Sequence, residues 1–169
     1  MKKKGFFEIT EKEYNSIFQA YKLWKSFDEL MRNVSSRGVN LHEGISEVVV
    51  CYVNGYYHSV GEGSEDAKTK NNLKVQVKAS SNFEDDLTSF GPTSKFDILH
   101  FARLNRETDE LYLYDISLDT LYDVKVSKKE TFKDKQNRGQ RPRFSIIKNF
   151  LKESKPYAIV NMINGDIKR

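Results

Sequence analysis

The hydrophobic pattern of this chain changes its period once, and that change constrains the fold more than any other feature. Between residues 10 and 54, apolar side chains recur at steps of three and four, which predicts two amphipathic helices. Between residues 73 and 79 they alternate with polar side chains, which predicts a strand with one buried face. Gln76 and Lys78 then point to the same side of that strand. The sequence therefore predicts an α/β (α+β) fold in which helices precede a mixed β-sheet.

Capping and turn residues set the boundaries of these elements. Thr10 and Glu13 have the spacing of a capping box, so the first helix is predicted from there to about Ser35. The second helix is predicted from about Leu41 to Asn54 and Gly55. Further predictions are strands at residues 96–104 and 110–116, a short helix at 145–151 and a last strand at 157–162.

Length and composition narrow the class of protein. At 169 residues and 19.7 kDa the chain has the length of one domain, so we predict a single domain over residues 1–169. No apolar run has the length of a membrane span, and the basic start is not followed by the apolar stretch of a signal peptide. Cys51 is the only cysteine and has no internal disulfide partner. We therefore expect a cytoplasmic protein.

Basic residues are concentrated in the C-terminal third. Residues 124–155 contain eleven Lys or Arg and three acids, a net charge of +8. The whole chain carries +4, so the other 137 residues sum to −4. A basic block on a mildly acidic body indicates either a polyanion partner or a solubilising face.

Three polar residues around the predicted strand carry the chemistry. Asp66 follows a glycine-rich turn, ten residues before Gln76 and twelve before Lys78. An acid that starts one strand, followed on the next strand by a polar residue and a lysine two apart, can bring all three side chains to one point. Asp66 and Gln76 supply the oxygen ligands that Mg²⁺ prefers, and Lys78 supplies a charge that can orient or deprotonate water beside a phosphate. Glu47, on the polar side of the second helix, is a further carboxylate for the same ion.

The same residues also have structural explanations. A polar residue, any residue and a lysine form a common solvated strand face, Asp66 alone could satisfy its own turn, and Glu47 alone could be a helix surface charge. Their order within thirty-two residues, followed by a basic segment, favours chemistry. Together they predict a metal-dependent centre that hydrolyses phosphodiester bonds.

Four segments carry a resemblance to a known family: GISEVVVCYVNG, GSEDAKTKNNLKVQVKAS, DDLTSFGPTSKFDIL and GQRPRFSI. They resemble the small type II restriction endonucleases of the PD-(D/E)xK superfamily, in particular those that cut at GC-N-GC type sites. The resemblance covers about residues 40 to 150. It implies a central mixed β-sheet flanked by helices, usually in a homodimer in which each subunit cuts one strand. It also implies a companion DNA methyltransferase that protects the host.

The resemblance assigns a role to each candidate site residue. Asp66 would be the metal-binding acid, Gln76 would occupy the usual second acidic position, Lys78 would be the catalytic lysine and Glu47 the auxiliary helix acid. Two departures from the superfamily pattern stand out. Glu65 precedes Asp66 where proline is usual, and Gln76 removes one negative charge, which raises the importance of Glu47.

The basic segment has the composition of a DNA-reading surface. Arginine reads guanine through two major-groove acceptors, Asn or Gln reads adenine, and lysine mostly contacts phosphate. We predict that guanines are read by Arg138, Arg141 and Arg143, and that the backbone is held by Lys133 and Lys135. The same surface includes Gln136, Asn137 and Gln140. The alternative is an exposed basic loop with no role in reading.

For the remaining polar residues, and for the function, the sequence allows more than one explanation. His58 is either a general base or a turn residue, and Asp85 and Asp86 are expected to cap a turn or face solvent. The preferred function is a Mg²⁺-dependent, site-specific DNA endonuclease that acts on a short GC-rich palindrome of GCNGC type. The alternatives are a structure-specific repair or recombination nuclease and a non-catalytic nucleic-acid-binding module.

Overall fold

The computed structural model describes residues 4–169. The predicted domain of residues 1–169 begins with residues 1–3, which lie outside the described part. The helices are α1 (Glu11–Val34), α2 (Glu43–Asn54), α3 (Leu118–Leu121), α4 (Phe132–Asn137) and α5 (Ile146–Phe150). The strands are β1 (Gly5–Glu8), β2 (Tyr57–Val60), β3 (Ala67–Lys68), β4 (Lys74–Ser80), β5 (Thr88–Ser89), β6 (Ile98–Asn105), β7 (Glu110–Ile116), β8 (Arg143–Phe144), β9 (Ala158–Asn161) and β10 (Ile167–Lys168).

Eight of these strands form one mixed sheet in the order β1-β2-β3-β4-β6-β7-β9-β10. The pair β4 and β6 is parallel, and the other neighbours are antiparallel. Strands β5 and β8 form a separate two-stranded ribbon. The prediction of a mixed sheet flanked by helices is therefore confirmed.

Helices cover both faces of the sheet. One hydrophobic core joins α1 and α2 to the sheet through residues such as Tyr21, Val49 and Leu113. A second core joins the opposite face to α3, α4 and α5 through residues such as Phe101 and Phe132. Because the second core covers the face that carries Gln76, that side chain is only 7% exposed. The prediction of a strand with one buried face is therefore wrong.

The long elements follow the sequence signals closely. Thr10 caps α1 with the predicted capping box, and α2 ends at Gly55, whose φ of 65° suits glycine. The hairpin of β6 and β7 and the short helix α5 are also confirmed. The short elements β1, β2, β5, β8, α3 and α4 were not predicted, and β10 follows the strand that was expected to be the last. None of the helices between residues 4 and 169 has the length and apolarity needed to cross a bilayer.

Candidate active site

The polypeptide backbone holds Asp66 between two strands. Its N–H donates to the carbonyl of Val75 at 3.0 Å, and its carbonyl accepts from the N–H of Ser59 at 2.9 Å. Its Oδ2 accepts hydrogen bonds from Gln76 Nε2 and, at 2.7 Å, from the N–H of Val77. The predicted pair of Asp66 and Gln76 is thus in direct side-chain contact at the start of β3.

Lys78 lies two residues further along β4, on the same face as Gln76. Its Nζ lies 5.6 Å from the centre of the Phe90 ring, and Phe90 is buried in the second core. A cation held over a buried aromatic ring is attracted by the electrons of that ring. This contact holds the Lys78 ammonium at the edge of the core, where the side chain lines an open cleft.

Glu47 projects from α2 and is held by a neighbouring strand. Its Oε2 lies 3.0 Å from His58 Nε2, and the two side chains are 15% and 14% exposed. His58 pairs with Ala67 in the sheet, directly after Asp66. His58 is therefore a strand residue that positions Glu47, and the prediction that it lies in a turn is wrong.

Burial and neighbouring acids raise the pKa of Asp66 from 3.8 to about 6. Loss of solvent is the largest cause, and the negative charges of Glu47 and Glu43 raise it further. The hydrogen bond from Val77 and the positive charge of Lys78 oppose this rise. The electrostatic coupling shows that Asp66, Glu47 and Lys78 share one neighbourhood.

Glu43 is a member of this neighbourhood that the sequence analysis missed. It lies in the first turn of α2, one turn before Glu47, so both carboxylates lie on one face of the helix. Unlike Glu47, Glu43 lines the cleft beside Lys78. The i, i+4 spacing of Glu43 and Glu47 in the sequence is the signal that would have placed Glu43 beside the site.

The cleft that contains Lys78 has a volume of about 1100 Å³. It is bordered by the end of α1, the connection from α1 to α2, the end of β4 and the segment that leads into β5. Its polar lining includes Arg37, Asn40, Ser81 and Asn82, none of which was predicted. Asp66, Gln76 and Glu47 do not belong to its lining. Lys78 therefore connects the partly buried acids to the open cleft.

The oxygen atoms around Asp66 fit a hard divalent cation. The two hydrogen bonds to Asp66 occupy Oδ2, and within the described chain its Oδ1 accepts none. Gln76 donates through Nε2, which leaves its amide oxygen available. Residues 4–169 contain no group of three or more His, Cys, Asp or Glu placed to share an ion. One carboxylate and one amide, completed by water and phosphate, are the kind of set that Mg²⁺ accepts.

Glu65, which stands in the place of the usual proline, is a buried ion-pair partner. Its carboxylate lies 3.4 Å from Lys68 Nζ and 3.8 Å from Lys74 Nζ. Burial opposes ionisation of Glu65, but hydrogen bonds from its own N–H and that of Ser64, together with the two lysines, lower its pKa. Glu65 therefore fixes the turn before Asp66 through side-chain contacts.

Part of the predicted DNA-reading segment is engaged in contacts within the chain. Glu130 forms ion pairs with Lys135, at 2.8 Å, and with Arg138. Gln136 donates to the carbonyl of Gly91 at 3.0 Å. Among the predicted DNA-binding residues, the exposed side chains are those of Lys133, Asn137, Arg138, Gln140, Arg141 and Arg143.

The ribbon of β5 and β8 connects this basic segment to the cleft. Arg143 lies opposite Ser89, a cleft residue, and Phe90 donates its N–H to the carbonyl of Pro142 at 3.1 Å. Since Phe90 also underlies Lys78, the ribbon that carries the exposed Arg143 adjoins the Lys78 side of the cleft.

Asp85 and Asp86 have the structural roles that were expected of them. Asp86 caps α5, accepting from the N–H groups of Ile146 and Ile147 at 3.0 Å each. Asp85 lies 2.8 Å from Lys148 Nζ. The segment between β4 and β5 is therefore attached to α5.

Comparisons with known proteins identify the family of this chain. The sequence model of the family described as Bsp6I restriction endonuclease matches residues 9–153. This match defines the class: a restriction endonuclease, a DNA hydrolase of a restriction-modification system. The type II restriction enzyme Bsp6I of Bacillus sp. (strain RFL6) is 40% identical over 145 residues, covering 85% of this chain and 83% of that protein.

The chain therefore belongs to the Bsp6I restriction endonuclease family. It is a site-specific deoxyribonuclease, and the resemblance to type II restriction endonucleases is confirmed. Membership in this family favours the site-specific enzyme over the repair nuclease and the non-catalytic binding module.

Proposed function

We propose that the chain cuts double-stranded DNA at a short GC-rich palindrome of the GCNGC type by Mg²⁺-dependent hydrolysis of a phosphodiester bond. The observation that carries the proposal is the contact between Asp66 and Gln76, with Lys78 beside them at the edge of an open cleft. Type II restriction enzymes generally use a divalent metal ion, and this donor set suits Mg²⁺. We assign the activity to one nuclease domain over residues 1–169.

Each residue of the site has a defined task in this proposal. Asp66 and Gln76 would hold the ion, with Glu47 as the auxiliary acid. The ion would supply positive charge that offsets the charge developing on the phosphate in the transition state. Lys78 would orient the attacking water, assist its deprotonation and add positive charge beside phosphorus. His58 would keep the Glu47 carboxylate turned toward the site through their 3.0 Å contact.

The basic segment would bind the DNA next to this site. Arg141 and Arg143 are exposed and adjoin the ribbon that borders the cleft, so we propose them as the main guanine-reading residues. Arg138 would exchange its Glu130 ion pair for a guanine when DNA binds. Lys133 and Lys135 would contact phosphates, and the polar side chains of Gln136, Asn137 and Gln140 would complete the reading surface.

A palindrome requires two symmetry-related sites. One chain presents one set of proposed catalytic residues and one basic segment, so we propose that the active form is a homodimer. We also propose a companion DNA methyltransferase of the same specificity, because an unprotected host genome would be cut. Since the substrate of this nuclease is genomic or invading DNA, we propose that the nuclease acts in the cytoplasm.

Digestion of DNA of known sequence tests this proposal. Purified protein with Mg²⁺ is expected to give discrete fragments whose mapped ends fall at GCNGC sites. The matched control is a duplex in which one guanine of the site is replaced, and it should stay intact. Fragments that end at unrelated sequences would contradict the proposed specificity, and intact DNA under all conditions would contradict the activity.

A further inference from the structure

The long helix α1 has an apolar stripe on the side that faces away from its own core. The core side consists of Tyr14, Phe18, Tyr21, Trp24 and Asp28. The opposite stripe, called here the α1 stripe, consists of Leu23, Phe27, Leu30 and Val34, which are 74%, 52%, 66% and 79% exposed. These are four of the seven exposed large hydrophobic residues among residues 4–169. An apolar concentration of this kind on a surface marks an interaction site.

The spacing of the α1 stripe fits a second helix. Its steps of four, three and four residues are those of the a and d positions of a coiled-coil seam. The pattern also reads the same in both directions about a point between Asp28 and Glu29. An antiparallel copy would place Leu23 opposite Val34 of its mate and Phe27 opposite Leu30 of its mate.

We propose that the α1 stripe is the interface on which a second copy of this chain packs, with the two α1 helices antiparallel across a two-fold axis. In such an interface the same patch serves both copies, so it must complement itself. The symmetric spacing of the four apolar residues meets this requirement.

The residues beside the α1 stripe are compatible with self-association. Ser26 and Asn33, at the flanking g positions, are uncharged, so no like charges face each other there. The cations Lys25 and Arg32 lie at f positions, on the side of α1 away from the stripe, where Lys25 is bound to Asp109 at 2.6 Å and Arg32 to Asp28 at 3.0 Å. Neither pairing needs to be broken when a second helix packs on the stripe.

The exposed area is sufficient for a dimer contact. From the exposures of its four side chains, the α1 stripe presents on the order of 500 Å², within the range of the largest apolar patches on monomers. Two copies would bury about 1000 Å², the lower bound for a specific interface. The stripe would therefore form the centre of the contact.

The C-terminal end of α1, which carries the last residue of the α1 stripe, also borders the cleft. Arg32, Ser36 and Arg37, at and just after the end of α1, line the cleft that contains Lys78. Antiparallel pairing would therefore place one cleft at each end of the seam, as cutting both strands of a palindrome requires. This consequence rests on the proposed function, whereas the pairing itself rests on the stripe alone.

Sedimentation equilibrium of the full chain tests the interface. The wild type should have twice the 19.7 kDa mass of one chain. Leu30→Glu should raise the dimer dissociation constant at least 100-fold, and Leu23→Glu with Leu30→Glu should give a monomer. Leu73→Glu, at an exposed leucine outside α1, is the matched control and should leave the dimer intact. Circular dichroism confirms that each variant is folded.

Cross-linking tests the direction of the helices. Leu23→Cys with Val34→Cys should give a disulfide-linked dimer on oxidation, because these positions face each other in the antiparallel pair. Each single variant should remain uncrosslinked, and the native Cys51 is buried.

A wild type that is monomeric, or a dimer unaffected by Leu23→Glu with Leu30→Glu, would overturn the proposal. Cross-linking of the single variants would overturn the antiparallel arrangement. Cleavage assays on the wild type are separate: a dimer through α1 that cuts no DNA would refute the proposed function and leave the interface in place.

Discussion

Replacing Asp66 by Asn should stabilise the metal-free protein at neutral pH. The fold raises the pKa of Asp66 from 3.8 to about 6, so the folded chain holds this proton to a higher pH than the unfolded chain does. The ionised carboxylate therefore lowers the free energy of unfolding progressively between pH 3.8 and about 6, and by its full amount above that range. Asn has nearly the same shape and keeps an oxygen to accept from Val77.

The structure gives the size of this effect. A rise from 3.8 to about 6 corresponds to about 3 kcal/mol at about 1.4 kcal/mol per pKa unit. Because Asp66 is only half-buried, solvent screening reduces the expected gain to about 2 kcal/mol. For a chain of this length that gain raises the melting temperature by about 4–8 °C.

Thermal unfolding with EDTA at pH 4, 6 and 8 measures the prediction. The variant should melt above the wild type at pH 8 and near it at pH 4, where both side chains are uncharged. Addition of Mg²⁺ at pH 8 should raise the melting temperature of the wild type alone. Asp123→Asn, at an exposed aspartate, is the control and should show no pH-dependent difference. A variant that is less stable than the wild type at pH 8 would refute the reasoning.

Three further substitutions test other parts of the structure. Asp86→Ala should lower the free energy of unfolding by about 2 kcal/mol in urea titrations, because the N–H groups of Ile146 and Ile147 at the start of α5 lose their acceptor; the exposed Asp85→Ala should have little effect, and an equal loss would contradict this role. Gly38→Ala should destabilise by about 2–3 kcal/mol, because the added methyl group would overlap the buried Asp28 carboxylate; unchanged urea unfolding would show that this region adjusts. Arg143→Ala should reduce discrimination against an altered guanine by about 1–3 kcal/mol in competition binding with Ca²⁺, while uniform weakening at all sequences would assign it to phosphate instead.

The long elements were predictable because their signals are local. Thr10 and Glu13 are only three residues apart, and the alternation of residues 73–79 is a pattern of consecutive residues. The contact of Asp66 with Gln76 followed from the order of acid, turn and strand. Thr131 and Asp134 form a capping box at the start of α4. Their spacing in the sequence is a local signal that also predicts this helix.

The rest depended on long-range packing. The burial of Gln76 arises from a second core built by residues far along the chain, such as Phe101 and Phe132. The four-residue strand β2 forms only because it pairs with β1 and β3, and this pairing brings His58 to Glu47. The charge of Glu130 decides which basic side chains are paired within the chain, and composition alone gives no such information.

The most direct test of the central claim is the single-turnover cleavage rate of Lys78→Ala, measured with its duplex affinity in Ca²⁺. We predict a rate at least 100-fold lower than that of the wild type, with affinity changed by less than threefold, because Lys78 acts on the reacting phosphate. Lys70→Ala, at an exposed position in the turn between β3 and β4, should cut at the wild-type rate. Cleavage by Lys78→Ala at the wild-type rate would contradict the assignment of Lys78 as the catalytic lysine.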